Sequence, residues 1–563
     1  MIRFDEIKYE RPDYDSLKTK LEKTVELIGS SSDLDEIEAA ILEFNREREH
    51  CETMGTMILI RSYLDGTNET YAKELMEIAP QSENFDVTPL YDAIAKSPYK
   101  ERFEEKYGSF VLELQKEKAK LHAAGEEFVS QEQNVIAGLH KFVSEMKFEF
   151  DGELVSESRI AIIEQDDDEE VRKRAVYATK KAYVDNGKTI GEYYRKIIKA
   201  RNKLARANGF ENYLDYINIA KARLSYGEKE LQQFCENVKK YIVPLIAQNN
   251  EVIRKRFGVE KLIGLQASRC FPDGPAKPLG DAKFLIEKGQ EMFDDLDPEF
   301  GETYRRMKEN NYFDIELSDT KVTGIGFTAD IYEQRIPYIF GNYLETAETL
   351  TTFLHECGHA MQVQTCLNKF DLQELYTPVQ DIVEVPSKSM ELFSHAYAET
   401  FFGKDAEKYV IGHMTGFLKE IGTYCMAYEL ETYLYTNEDA EMQEWIDKFV
   451  ELSDLYDPGV EATFPELRKK GCDFFANANM FTFPRYVIAY SLCDLTSIYI
   501  AAEFSKDKVK GVEFFKRIAG IGGNMDYATA LASVGLKPGY DEEVIKEGAE
   551  YVKKQLHLDD ADK

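Results

Sequence analysis

The residues most suited to chemistry form a two-histidine motif near the middle of the chain. Residues 351–366 read TTFLHECGHAMQVQTC, in which His355, Glu356 and His359 match the pattern H-E-x-x-H. In a helix, His355 and His359 lie roughly 40° apart on one face and about 6 Å apart along the axis. Both imidazoles can therefore bind one tetrahedral zinc ion, and the Glu356 carboxylate can reach a water molecule on that ion, as in a metalloprotease.

Chance rarely produces this motif in a chain with so few histidines. With 8 His and 103 Asp and Glu among 563 residues, about 0.02 such motifs are expected by chance. The flanking residues are typical of a buried helix, which is the context that the motif requires: Phe353, Leu354, Ala360, Met361 and Val363. The alternative is a helix with two ordinary histidines and a solvated glutamate.

A catalytic zinc also needs a third protein ligand and one open position. Several downstream side chains could supply that ligand: Asp371, Glu374, Asp381, Glu384, Glu391 and His395. If residues 381–399 are helical, Glu384, Glu391 and His395 share one face, with His395 about 16 Å along the axis from Glu384. Spacing alone leaves these candidates open.

Composition describes an acidic, folded protein. Hydrophobic residues make up 43% and charged residues 31% of the 563 residues, which is a globular profile. The formal net charge of −33 repels phosphate backbones and anionic lipids, so neither a nucleic acid nor a membrane is expected as a partner. At about 150 residues per domain, the length predicts three to four structural units, although a large, mainly helical enzyme can also form one continuous body.

Several absences favour a cytoplasmic protein that uses no nucleotide. The N-terminal sequence MIRFDEIKYE lacks the apolar segment of a secretory signal, and no apolar run is long enough to span a membrane. The eight cysteines are scattered without a C-x-x-C pair, which suits a reducing compartment, and Cys357 is expected to be a buried, inert thiol. GIGF (324–327) and GIGG (520–523) lack the third glycine of a dinucleotide-binding loop.

Hydrophobic periodicity predicts a mainly α protein. Apolar residues recur at spacings of three and four over residues 15–28, 34–50, 70–79, 100–146, 189–207 and 227–256. Residues 262–283, with three prolines and three glycines, predict a long loop. Residues 313–316 and 321–343 predict one small sheet just before the zinc helix, and IPYIFGNY (336–343) could offer an edge that pairs with an extended peptide.

The zinc segment also resembles a known family. The run HECGHAMQ, followed by DIVEVPS with its glutamate 25 residues after His359, resembles the M3 family of zinc oligopeptidases, which includes thimet oligopeptidase and neurolysin. Three further segments resemble the bacterial oligoendopeptidase F and Pz-peptidase group within it: RSYLDGTNETYAKEL (61–75), RNKLARANGFENYLDY (201–216) and FPRYVIAYSL (483–492). The resemblance therefore extends from about residue 60 to about residue 540.

The resemblance implies roles for residues that spacing left open. Glu384 becomes the third zinc ligand, and Asp381 and Glu391 become candidates for holding an imidazole by its other N–H. Tyr486 and Tyr490, four residues apart, become the phenols that stabilise the oxyanion together with one zinc ion per chain.

The resemblance to the M3 family also implies which residue transfers protons, and this sequence differs from many relatives at two positions. Glu356 would accept a proton from the attacking water and later deliver one to the leaving amine. Gln362 stands where many relatives carry a histidine that is not a ligand. Asn479 stands about where relatives place a substrate-contacting histidine, so that imidazole is expected to be missing.

The resemblance further implies an elongated helical metallopeptidase with a deep substrate channel and one small β-sheet beside the zinc-site helix. The channel would admit oligopeptide substrates and exclude folded proteins. The expected regions are an N-terminal helical region (1–185), a zinc peptidase catalytic region (186–550) and a polar C-terminal tail (551–563).

Two other functions stay open at this point. A zinc metallocarboxypeptidase would use the same metal site with a basic clamp for the substrate C-terminus, and Arg485 could be that clamp. A catalytically inert helical peptide-binding protein would keep the metal but would have no need of Glu356, so the intact motif argues against it.

Overall fold

The computed structural model describes residues 2–122, 124–166 and 168–560 and consists mainly of α-helices, as the periodicity predicts. The first helices are α1 (Tyr14–Ser30), α2 (Leu34–Leu64), α3 (Glu69–Glu83), α4 (Thr88–Lys96), α5 (Lys100–Tyr107), α6 (Phe110–Ala119), α7 (Glu126–Ser144), α8 (Glu157–Ile163) and α9 (Glu169–Ala207). The middle of the chain forms α10 (Tyr213–Ala220), α11 (Glu228–Tyr241), α12 (Val243–Phe257), α13 (Gly264–Arg269), α14 (Ala282–Leu296), α15 (Pro298–Glu309), α16 (Ala347–Lys369), α17 (Gln380–Phe393) and α18 (Ala398–Phe402). The remaining helices are α19 (Ala406–Thr436), α20 (Met442–Tyr456), α21 (Pro465–Arg468), α22 (Cys472–Phe475), α23 (Ala478–Thr482), α24 (Ile488–Lys506), α25 (Lys508–Ala519), α26 (Tyr527–Ser533) and α27 (Glu542–Gln555).

Two of the predicted helical stretches are broken in the structure. The pattern over residues 100–146 forms α5, α6 and α7. Gly108 (φ 84°) ends α5, and Gly125 (φ 91°) directly precedes α7; both adopt positive φ values that glycine favours. The pattern over 227–256 forms α11 and α12, which part at Ile242 just ahead of Pro244. Proline is tolerated in the first turn of a helix but not in its interior, so the second helix begins there.

Strands are few and short, as expected, but they form three small sheets instead of one. The strands are β1 (Phe148–Phe150), β2 (Glu153–Val155), β3 (Leu262–Ile263), β4 (Phe313–Asp314), β5 (Phe327–Ile331), β6 (Ile336–Phe340) and β7 (Val460–Glu461). Strands β1 and β2 pair antiparallel, and β3 and β7 pair parallel. In the third sheet, β6 lies between β4, which is parallel to it, and β5, which is antiparallel.

The third sheet corrects one prediction. Strand β6 contains most of the IPYIFGNY segment that we expected to offer an edge to a peptide. It is instead the central strand of its sheet, and all five of its residues are buried. A continuous apolar run such as IPYIF is typical of a strand covered on both faces, and Phe327↔Phe340 and Ile331↔Ile336 fix its register with β5.

The chain divides into two compact units, each assembled from three stretches. The first unit comprises residues 1–119, 276–412 and 493–539, and the second comprises residues 120–275, 413–492 and 540–563. The first unit contains the β4–β6–β5 sheet with α16 and α17, and the second contains the two two-stranded sheets.

The sequence predicts region boundaries at residues 185/186 and 550/551, which do not coincide with the boundaries of these two units. The first of these points lies within α9 and the second lies within α27, while residues 561–563 of the expected tail lie outside the described residues. The three-region division stays a prediction. None of the described helices has the length and apolar character needed to cross a membrane.

In the first unit, an apolar core joins the N-terminal helices to the segment between α16 and α17. Leu17 of α1, Phe44 of α2 and Ile94 of α4 are buried together with Leu372 and Leu375. Within the same core, the Asn45 amide donates to the Asp371 carbonyl at 3.0 Å and accepts from the Gln373 N–H at 3.1 Å. Helix α2 thus fixes the connection between the two helices that carry the candidate ligands.

Candidate metal centre

Helix α16 carries the H-E-x-x-H motif and is fixed at its start by a capping residue. The Thr346 hydroxyl accepts the N–H of Thr349 at 3.1 Å, which satisfies one of the N–H groups that a helix leaves unpaired. The helix packs against strands β5 and β6. Its motif residues therefore lie on a rigid element that the sheet supports from one side.

Three side chains of the first unit converge at one point. Nε2 of His355 lies 3.1 Å from Nε2 of His359. Oε2 of Glu384 lies 3.3 Å from the first nitrogen and 3.2 Å from the second. In the described part of the chain, these three residues form the one group of His, Cys, Asp and Glu side chains that could hold an ion.

This donor set fits a zinc ion. Ligand bonds of about 2.0 Å in tetrahedral geometry give ligand-to-ligand separations of about 3.3 Å, close to the three observed distances. Two imidazole nitrogens and one carboxylate oxygen are ligands that zinc prefers, and three protein ligands leave one position for water or substrate.

Glu384 reaches the histidines because α16 and α17 approach each other closely at Gly358. A Cβ atom at that position would lie 2.6 Å from the Pro386 carbonyl oxygen and 2.6 Å from the Ser387 Cα. Both are backbone atoms of α17, so any larger residue would push the helices apart. The glycine inside the motif is therefore required by the partner helix.

Helix α17 also contains a proline, two residues after Glu384. Pro386 has no N–H, so it removes one bond of the helical ladder. Two serine side chains contact this part of the helix: Ser497 donates to the Val385 carbonyl at 3.1 Å, and the Ser387 hydroxyl lies 2.9 Å from both the carbonyl and Oε2 of Glu384. Ser387 therefore helps to orient the candidate third ligand.

Glu391 holds the first histidine from behind. Its Oε1 lies 2.6 Å from Nδ1 of His355, so an N–H on Nδ1 leaves Nε2 as the nitrogen that faces the cluster. Lys388 lies 3.8 Å from the same oxygen and 3.8 Å from Asp494. Of the two acids that the resemblance suggests for such a contact, Asp381 and Glu391, it is Glu391 that lies at His355, and the sequence gives no comparable signal for Lys388.

Electrostatic interactions within the cluster strongly shift the pKa values of its side chains. Burial alone would lower the pKa of His355, but the Glu384 and Glu391 carboxylates outweigh it and raise that pKa to about 10. Burial would raise the pKa of Glu384, yet His359 and His355 hold that pKa well below its usual range. In the metal-free protein the cluster therefore carries a proton that an arriving cation must displace.

Glu356 is held by a strand residue. Its side chain is buried, with 7% of the residue exposed, and Oε2 lies 2.8 Å from the hydroxyl of Thr328 on β5. The same hydroxyl lies 2.8 Å from the Glu356 carbonyl oxygen. Sequence reasoning missed Thr328, for which the local sequence gives no signal besides the strand-like pattern around it.

Glu374, His395 and Asp381, which spacing left open as ligands, are not members of this cluster. Glu374 pairs with Arg48, and the His395 ring packs edge-on against Tyr409 at 5.8 Å between centroids. Asp381 is buried at the start of α17. The predicted helix over 381–399 ends at Phe393 and continues as a 3-10 turn, which ends the regular face on which His395 was expected to lie.

Two further residues of the zinc segment, Gln362 and Cys357, are buried in the protein interior. Gln362 is buried, and its amide donates to the Tyr376 carbonyl at 3.3 Å, in line with the expectation that this position is not a ligand. Cys357 is buried, and burial raises the pKa of its thiol well above the usual value. The burial of Cys357 agrees with the expectation, and a raised pKa favours the thiol over the more reactive thiolate.

The tyrosine candidates lie in the second unit. Tyr490 is in the first turn of α24, and Tyr486 lies just before that helix begins, so the two residues share no continuous helix. Their hydroxyl oxygens are nevertheless 3.1 Å apart. Asn479 is exposed on α23.

Arg485 is not available as a clamp for a substrate C-terminus. Only 1% of the residue is exposed. Its guanidinium pairs with Glu228 at 2.8 Å and with Glu431 at 3.4 Å, and it lies over the Tyr428 ring at 4.0 Å from the centroid. The expectation that kept a carboxypeptidase open is therefore wrong for this residue.

A mainly helical chain whose H-E-x-x-H histidines meet a distant glutamate has the fold and site of a metallopeptidase. The sequence matches the profile of the peptidase M3 N-terminal domain over residues 4–122 and that of peptidase family M3 over residues 290–549. The chain belongs to peptidase family M3.

Solved structures agree with this assignment. Pz peptidase A, solved with an inhibitor, shares 25% identity over all of both chains with a TM-score of 0.87. A protein assigned as oligoendopeptidase F shares 25% identity over 99% of both chains with a TM-score of 0.87. Another from Bacillus anthracis strain Ames shares 24% identity over all of both chains with a TM-score of 0.83 and supports the fold. No match was found among curated proteins.

We expect Gly358→Ala to separate α16 from α17. The new Cβ would overlap backbone atoms of α17, so the free energy of unfolding should fall by about 1–3 kcal/mol and zinc should be lost on dialysis. Circular dichroism during urea unfolding and metal analysis measure the two effects. Gly416→Ala on α19, where a Cβ meets no described atom within 4 Å, is the matched control and should change stability by no more than about 1 kcal/mol. Equal behaviour of the two variants would contradict the close-approach argument.

We expect zinc affinity to rise with pH. Because the pKa of His355 is raised to about 10 in the metal-free protein, zinc must displace its proton at any lower pH. Affinity should therefore increase by about tenfold per pH unit between pH 7 and 9, as measured by competition with a chelator of known pH dependence. Glu391→Gln removes one cause of the raised pKa. In this variant, zinc affinity should therefore stop rising at a lower pH than in the wild type. An affinity that is constant across this range would contradict the prediction.

Proposed function

We propose that this M3 metallopeptidase is a zinc-dependent endopeptidase that hydrolyses short oligopeptides. The observation that carries the proposal is the convergence of His355, His359 and Glu384 within 3.3 Å of one another, with Glu356 of the same motif held beside them. His355, His359 and Glu384 would hold one zinc ion per chain.

Zinc, when bound, supplies a Lewis acid that polarises the scissile carbonyl and acidifies water. Glu356 is the general base: its carboxylate accepts a proton from the attacking water and later returns one to the leaving nitrogen. Its contact with the Thr328 hydroxyl supports this role, because a carboxylate held in one orientation presents its other oxygen to the water. Glu391 keeps Nε2 of His355 directed at the ion.

We assign stabilisation of the oxyanion to Tyr486 and Tyr490. A phenol O–H can donate to the oxygen on which negative charge develops. The 3.1 Å separation of the two hydroxyls supports a paired role, since one can orient the other toward that oxygen.

Oligopeptides are the substrates that the relatives suggest. The names Pz peptidase A and oligoendopeptidase F describe peptide-hydrolysing proteins of similar length and fold. We propose a deep, size-limiting channel for this chain, as the family resemblance implies, so that unfolded peptides enter and folded proteins do not. The eight buried cysteines carry free thiols, which supports action in the reducing cytoplasm.

Replacing the general base should separate catalysis from metal binding. Glu356→Gln keeps the size of the side chain but cannot accept the proton, so kcat should fall by at least about 100-fold while zinc content stays at one per chain. Hydrolysis of a quenched fluorescent peptide and metal analysis measure the two quantities. Glu348→Gln, on an exposed turn of the same helix, is the matched control and should keep full activity. Retained hydrolysis in Glu356→Gln would rule out this mechanism.

Blocked peptides test the endopeptidase assignment. Peptides with an acetylated N-terminus and an amidated C-terminus lack both charged ends, so an endopeptidase should cleave them at internal bonds and a carboxypeptidase should not. Mass spectrometry of a pool of blocked peptides of increasing length, together with a folded protein, gives the cleavage sites and the size limit. A chelator should abolish all products. Release of single C-terminal residues from unblocked peptides alone would contradict the proposal.

A further inference from the structure

The turn between α23 and α24 holds a strained residue. Arg485 has a φ of 54°, in the left-handed region that non-glycine residues rarely occupy. It immediately precedes Tyr486 in the sequence. A residue in that conformation persists only where its surroundings fix it, so the contacts of this peptide are informative.

Both backbone polar groups of Arg485 are held by buried side chains of the second unit. Its N–H donates to Oε2 of Glu431 on α19 at 3.0 Å, and its carbonyl accepts from the guanidinium of Arg223 at 3.0 Å. Glu431 is 2% exposed and Arg223 is 3% exposed. The Arg223 guanidinium is a charged donor, and hydrogen bonds to ionised groups are roughly twice as strong as neutral ones. Burial raises the pKa of Glu431 to about 7, and its carboxyl oxygen accepts the N–H in either protonation state.

The side chain of Arg485 anchors the same turn. Its guanidinium donates to the Tyr428 carbonyl at 2.6 Å, to the Thr432 hydroxyl at 2.7 Å and to Oε2 of Glu228 at 2.8 Å. The turn is thus tied to α19 through both backbone and side chain, and a main-chain rotation at Arg485 would break several of these bonds together.

The fixed peptide sets the direction of Tyr486. The Arg485 carbonyl belongs to the peptide that leads into Tyr486, so the bond from Arg223 restricts the plane from which the Tyr486 side chain projects. The Tyr486 hydroxyl then meets that of Tyr490 at 3.1 Å, and Lys221 lies 5.1 Å from the Tyr486 ring centroid.

We infer that Arg223 and Glu431 are positioning residues that hold Arg485 in its left-handed conformation and thereby fix the hydroxyl of Tyr486. The inference rests on the proposed function, in which that hydroxyl serves the oxyanion. It adds two residues that the motif does not contain, more than fifty residues from Tyr486 along the chain.

The main test is Arg223→Met in the full-length zinc enzyme, with two readouts. 3-Fluorotyrosine at position 486 alone reports the surroundings of the ring by 19F NMR, and we expect its resonance to shift or broaden. We expect kcat to fall by about 10- to 100-fold, as for a catalytic group that is misplaced by about 1 Å, with KM changed less than threefold. In a Tyr486→Phe background the same substitution should change kcat less than twofold, because the positioned group is absent.

Arg195→Met is the matched control. Arg195 is another arginine of the second unit, half-buried, and like Arg223 it donates to backbone carbonyls, those of Glu438 at 2.9 Å and Ala440 at 2.7 Å. This variant should leave the 19F resonance and kcat unchanged. Arg223→Lys, which keeps the charge and a donor, should lie between wild type and Arg223→Met in both readouts.

The outcomes separate this inference from the proposed function. An unchanged 19F resonance in Arg223→Met, or an equal fall in kcat with and without Tyr486, overturns the inference. A shifted resonance in an enzyme whose Tyr486→Phe variant keeps full kcat supports the positioning and refutes the role given to Tyr486. If Arg223→Met does not fold, Glu431→Met carries the test, since it keeps a side chain of similar length and removes the acceptor of the Arg485 N–H; a wild-type resonance there overturns the inference.

Discussion

The close packing of α16 against α17 at Gly358 is the constraint on which the site depends. His355 and His359 lie on one helix, but Glu384 belongs to the next, and it reaches them only because the backbone of α17 occupies the space where a Cβ would lie. The loop between the helices is fixed by Asn45 of α2. Residues far from the motif thus determine whether the third ligand arrives at about 3.3 Å.

Burial of the charged groups in this arrangement has an electrostatic cost. Charged groups cost free energy when they leave water, unless opposite charges and hydrogen bonds compensate for the loss. Here two carboxylates flank His355, and the raised pKa of that histidine, about 10, records the mutual stabilisation. A divalent cation would replace the proton as the positive charge between Glu384 and the imidazoles, so the same compensation serves the metal-free and metal-bound forms.

How far the sequence predicts the site depends on whether the partners are local. His355, Glu356 and His359 could be identified because one helical period brings them together. Glu384 needed a family resemblance, because several downstream acids satisfy the same spacing rules. Thr328 could not be predicted, since it reaches Glu356 from a strand 28 residues earlier and only the register of β5 with β6 determines its direction.

The fold shows the same limit. Periodicity predicted the helices, but breaks such as the one at Gly108 depend on a positive φ that an amphipathic pattern does not encode. The segment at 336–343 was interpreted as an edge, although its unbroken apolar run is typical of the central strand that β6 proves to be.

Arg485 shows most clearly that the role of a residue depends on its partners in the folded structure. An arginine beside a candidate catalytic tyrosine suggests a group that binds substrate carboxylates, because isolated arginines are usually exposed. Its partners Glu228 and Glu431 lie 257 and 54 residues away and neutralise it inside the second unit. The charge is then used for geometry: it compensates the strain of a left-handed residue and holds the turn that carries Tyr486. A basic residue next to a candidate catalytic tyrosine can therefore fix the local turn and have no free charge to offer a substrate.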